Sequence, residues 1–150
     1  MQYHSAATAP SRANLVGGFL LIAAGLLIGS FMGAAHDVAW VKEWLSWPPF
    51  RRNQVMYAHG HLAMLGLTNV ALGLTMPHLA LRRLQTVVSW SALAAGVLVP
   101  VGMLLALLPE PWSRLIYLQA VGFLLLLAAT LVAAWAATRS PAEDGLGEPP

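Results

Sequence analysis

Apolar residues occupy this chain in long blocks, and charge interrupts them at only a few places. Between Arg12 and Asp37, Arg52 and Arg82, Arg83 and Glu110, and Arg114 and Arg139, the sequence carries no Asp, Glu, Lys or Arg for 24, 29, 26 and 24 residues. A helix needs about 20 apolar residues to cross the hydrocarbon core of a bilayer. Four such runs, each closed by charge, aromatics or proline, predict transmembrane helices over about 15–35, 54–76, 86–108 and 112–138. The fold expected is therefore all-α, an integral membrane four-helix bundle. It forms one domain over 13–138, with a short polar tail at 1–12 and a Pro-rich, acidic, disordered tail at 139–150. The chain lacks the period-2 alternation of a transmembrane β-barrel. The first apolar run exceeds the 7–15 residues of a usual signal-peptide core, and it is read as the first helix.

Between the first two predicted helices, Trp40, Trp44 and Trp47 recur at i, i+4 and i+7, while Lys42 and Glu43 point elsewhere. That spacing predicts a short amphipathic segment lying in the headgroup region, ended by Pro48-Pro49. Pro100 is expected to kink the third helix, and Pro109-Glu110-Pro111 to turn the chain into the fourth. In lipid, burying apolar surface does not drive helices together, so small residues that admit close backbones indicate contact. Gly25, Gly29 and Gly33 form such a ridge, and Ala92 with Gly96 and Gly102 with Ala106 extend the pattern to the third helix. The ridge is read as packing, against a helix of the same chain or of a neighbour.

Composition narrows the function. Of 150 residues, 58% are hydrophobic and 9% charged, against roughly 25% charged in a soluble domain. A soluble enzyme and a disordered chain are excluded. The net charge of +2 forms no basic stripe, so no nucleic-acid partner is expected. With no cysteine, there is no disulfide, iron–sulfur cluster, thiolate-ligated haem or covalent haem attachment. The expected location is a bacterial inner membrane. Basic residues divide evenly, with Arg12, Arg82, Arg83 and Arg139 on one side and Lys42, Arg51, Arg52 and Arg114 on the other. The termini are placed in the cytoplasm because Arg82-Arg83 marks the shortest strongly basic loop.

Polar groups inside a span are costly and point to function. The second predicted helix concentrates them in His59, His61, Thr68 and Asn69; Tyr117 and Gln119 are the comparable residues of the fourth. His4, His36 and His78 fall in tails, loops or helix ends and are read as solvated. His59 and His61 point about 200° apart on a helix, so they cannot share one ion or one haem. His59 heads a stripe of Ala63, Gly66, Val70 and Gly73, almost all small, against which a flat macrocycle could lie with an imidazole nitrogen on its iron. The same stripe would equally serve helix packing. Arg52, seven residues earlier, lies on nearly the same face; it is either a cation for haem propionates or a phosphate anchor. Met56, His59, His61 and Met64 also offer donors suited to Cu(I), completed from elsewhere.

Ala58-His59, Gly66, Pro77 and Val101-Gly102, set in a short four-span chain with a long first loop, resemble the styrene oxide isomerase family across most of 15–138. That resemblance implies a homotrimeric four-helix membrane protein holding haem b between subunits on the histidine matching His59. It implies ferric haem acting as a Lewis acid on a small apolar epoxide, which opens with a hydride shift to an aldehyde. The family's substrate-orienting asparagine and tyrosine fall near Met64 or Leu65 and at Leu104, so His59 alone carries over. Ala58-His59-Gly60-His61-Leu62 is also similar to haem-bearing helices of haem–copper oxidase relatives, which implies a non-catalytic haem or copper protein for electron transfer, sensing or oxidase assembly. A purely structural subunit is the third possibility.

Overall fold

In the computed structural model the described residues are 9–34, 38–79, 81 and 84–139, the side chains of 40, 41, 44 and 45 excepted. The readings of the C-terminal tail from 140, of His4, His36, Arg82 and Arg83, and of the indoles of Trp40 and Trp44 lie outside them. The described chain is all-α. Helix α1 covers Ala9–Ala34; a short α2 at Ala39–Lys42 continues as a 3-10 turn over Glu43–Ser46; α3 covers Pro49–Thr75 and α4 Gln85–Leu105; a 3-10 stretch at Trp112–Tyr117 leads into α5, Leu118–Ala137.

Helix ends differ from the sequence reading. α1 already includes Ala9 to Asn14, ahead of the expected start at 15 and partly inside what was expected to be tail, and it buries Ser11 and Asn14 there. α3 begins at Pro49 rather than 54, since proline fits the first helical position, where its missing N–H is no loss. α4 ends at Leu105, and the fourth span opens as a 3-10 stretch.

Three helical stretches, Ala9–Ala34, Gln85–Leu105 and Trp112–Ala137, are long and apolar enough to cross a membrane. α3 is equally long but gives positions to Arg51, Arg52, His59, His61 and Asn69. Large side chains on the outer faces of α1 and α5 are open: Phe19, Leu20, Leu27, Leu124 and Leu131 are each more than 60% exposed.

α1 and α3 run antiparallel in close contact. A Cβ on Gly18 would stand 2.7 Å from the Gly66 carbonyl oxygen, and one on Gly66 would stand 2.7 Å from that of Gly18, so the two backbones meet where neither residue has a side chain. Further along, Ser11 Oγ donates to the Gly73 carbonyl at 2.6 Å. α4 and α5 meet at Gly102, where a Cβ would lie 2.8 Å from the Gln119 nitrogen. Apolar side chains of α3, α4 and α5 fill the remaining core in two groups, one around Met76, Val88 and Ala129 and the other around Leu65, Val99 and Met103. Pro100 is buried within α4.

Candidate functional site

His59 is half-buried on the face of α3 that meets α1. Its Nδ1 lies 2.7 Å from the Gly25 carbonyl oxygen. A carbonyl only accepts, so Nδ1 carries the proton and donates. In the neutral ring Nε2 then holds the lone pair, and it has no hydrogen-bond partner among the described residues. The ridge glycines Gly25 and Gly29 therefore meet α3 of their own chain. A Cβ on Gly33, one turn further on, would meet nothing within 4 Å among the described residues.

The structure corrects the expected furrow. Gly66 abuts Gly18 and Ile22, the Ala63 backbone lies 3.3 Å from where a Gly25 Cβ would stand, and Gly73 faces Leu15 and Ser11. Helix α1 thus runs along the stripe below His59, where it buries Gly66 and leaves Ala63 half-buried. Small residues served helix packing here, the other use the spacing allowed.

His61 turns the other way. Its Nδ1 donates to the Tyr57 carbonyl at 2.7 Å, and its ring meets Phe123 of α5 edge-on, centroids 5.6 Å apart. The two histidines face different helices. Among the described residues no three His, Cys, Asp or Glu side chains gather as metal ligands, and the candidate copper donors Met56 and Met64 are both about half exposed. Arg52 is half-buried while its neighbour Arg51 is exposed. Thr68 Oγ1 donates back to the Met64 carbonyl of its own helix, and Tyr117 is 73% exposed.

A second polar cluster escaped the sequence reading apart from Asn69. Ser11, Asn14, Asn69 and Ser89 are all fully buried. Asn14 Nδ2 donates to Asn69 Oδ1 at 2.8 Å, and Asn69 Nδ2 donates to the Leu65 and Ala92 carbonyls at 2.9 and 3.2 Å. Ser89 Oγ bonds Asn14 Oδ1 and lies 3.1 Å from the Pro10 carbonyl. This network ties α1, α3 and α4 together. Its signal was present in the chain: Ser11, Asn14, Gly18 and Gly25 follow at +3, +4 and +7, one helical face that continues the glycine ridge toward the N-terminus.

Comparison with protein-family models, with curated proteins and with solved structures finds no match to this chain.

Proposed function

We propose that this chain is a multi-pass membrane protein of four crossings that binds haem b through His59 and isomerises a small apolar epoxide to an aldehyde. The observation that carries the haem reading is the Nδ1–Gly25 bond. Metal-ligating histidines characteristically donate their other ring N–H to a carbonyl or carboxylate, which fixes the tautomer and orients the ring. The donor set fits: a half-buried imidazole whose Nε2 has no hydrogen-bond partner among the described residues, in a chain with no competing thiolate. Gly66, covered by α1, takes no part as a haem contact; Ala63, half-buried, keeps that role, and the group would have to be held outside the α1–α3 contact. A homotrimer with haem between subunits, the arrangement implied by the resemblance to styrene oxide isomerases, is compatible with that. Arg52 is assigned to a propionate.

Held through His59, ferric haem would supply a Lewis acid to the epoxide oxygen. The chain's own part is to hold Nε2 in place, to keep water away with apolar side chains, and to admit a greasy substrate from the bilayer. The outward-facing apolar side chains of α1 and α5 support the membrane setting. The termini are assigned to the cytoplasm of a bacterial inner membrane.

One observation favours a non-catalytic haem protein as the second reading. Leu65, at one of the positions where the family's orienting groups would fall, is fully buried, and Leu104, at the other, packs against the apolar group around it. Neither can hydrogen-bond an epoxide. The detergent-purified protein is expected to show a Soret band after haem supplementation, lost in His59→Ala and kept in His61→Ala. Absence of the band from the wild type ends both haem readings, and bound copper in elemental analysis would put a metal protein in their place. Conversion of styrene oxide to phenylacetaldehyde by the ferric form alone separates the enzyme from the carrier.

A further inference from the structure

The imidazole of His59 lies across α1 between Gly25 and Gly29. A Cβ on Gly29 would stand 2.7 Å from Cε1, 3.2 Å from Nδ1 and 3.3 Å from Nε2, so the N–C–N end of the ring occupies the space a side chain at 29 would take. The first of these distances is shorter than real Cβ contacts allow. With any other residue at 29 the ring must swing away. Nδ1 sits in that same end of the ring, so its 2.7 Å bond to the Gly25 carbonyl would lengthen with the movement.

We propose that Gly29 is a positioning residue for His59: its missing side chain lets the imidazole reach the Gly25 carbonyl, which locks the Nδ1–H tautomer and leaves Nε2 as the single nitrogen able to bind iron. The proposal deepens the haem reading and rests on it for its purpose, but the tautomer exists without haem and is measured without it. Gly33 supplies the control. It lies on the same ridge, one turn on, and a Cβ there meets nothing within 4 Å among the described residues.

Long-range proton–nitrogen NMR on the full chain, ¹⁵N-labelled at histidine and free of haem, reads the tautomer directly. Wild type and Gly33→Ala are expected to show His59 protonated at Nδ1, whereas Gly29→Ala is expected to show mixed or Nε2-protonated imidazole. Supplemented with haem, Gly29→Ala should bind on the order of tenfold more weakly, the lower end of what loss of a partner behind a metal-ligating histidine costs, and Gly33→Ala should bind as wild type does. An unaltered Nδ1–H signal in folded Gly29→Ala overturns the proposal. So does an Nε2–H tautomer in the wild type, which requires no variant to fold. A wild type with the Nδ1–H tautomer but no Soret band leaves the lock standing and removes the haem reading instead.

Discussion

Buried amides contribute differently according to where their hydrogen bonds go. Asn69 spends none of its polar atoms within reach of solvent; it receives from Asn14 and donates to the Leu65 and Ala92 carbonyls, linking three helices. Interhelical hydrogen bonds measured in a membrane protein average about 0.6 kcal/mol and reach about 1.7, because the separated helices find other partners. Asn69→Leu preserves bulk but strands the Asn14 amide in an apolar core, and it is expected to cost about 1–2 kcal/mol of stability. Thr68 lies next to it in sequence, yet its hydroxyl only returns to its own helix. Thr68→Val should therefore change stability by less than about 0.5 kcal/mol. Denaturant titration of the two variants in the same detergent, followed by tryptophan fluorescence, checks the contrast; equal losses would mean that the network holds nothing together.

Glycines within one helix separate in the same way. In α3, Gly66 meets the Gly18 carbonyl at a distance no Cβ tolerates, while a Cβ on Gly60 meets nothing within 4 Å. Gly60→Ala is expected to raise stability by about 0.5–1 kcal/mol, the ordinary helix-propensity gain. Gly66→Ala should lower it by about 1–3 kcal/mol, because α1 must move off the backbone. Thermal unfolding of both variants tests the signs. This difference marks what the sequence could and could not reveal. The helices themselves were legible because four long uncharged runs leave little else possible, and the Gly25–Gly29 ridge was legible as a contact because it repeats every four residues. Its partner was not. The stripe below His59 has the same small residues whether it receives a macrocycle or a neighbouring helix, and only the antiparallel register of α1 decides that Gly18 and Gly25 occupy it. Asn14 and Ser89 were missed because their partners lie on other helices, 55 and 75 residues apart in sequence; they become a network only when three helices are brought together.

At the scale of the whole molecule, the course of α3 sets the topology. Its mean hydropathy is lowered at its start by Arg51, Arg52, Asn53 and Gln54, and further along by groups that face other helices: Asn69 lies in the three-helix network, His59 against α1 and His61 against Phe123 of α5. Toward the outside it presents Met56, Met64, Leu67 and Leu74, each 46–61% exposed. A lipid chain meets that outer face and not the average of the sequence, so α3 is suited to cross although its composition is more polar. Its 27 residues span about 40 Å, more than the roughly 30 Å of a hydrocarbon core, and its contact with α1 extends from Gly73 to His59. Four crossings put both ends of the chain on one side, whereas three put them on opposite sides. Because the sequence contains no cysteine, single substitutions report without background. In sealed vesicles treated with an impermeant maleimide, Ser5→Cys and Ser140→Cys are expected to react in the same vesicle orientation, and Glu110→Cys, in the turn before the last helix, in the opposite one. Reaction of positions 5 and 140 from opposite sides would leave α3 outside the bilayer. With α1 crossing and α3 outside, their lengthwise contact could not form, and the apolar setting proposed for His59 would be lost with it.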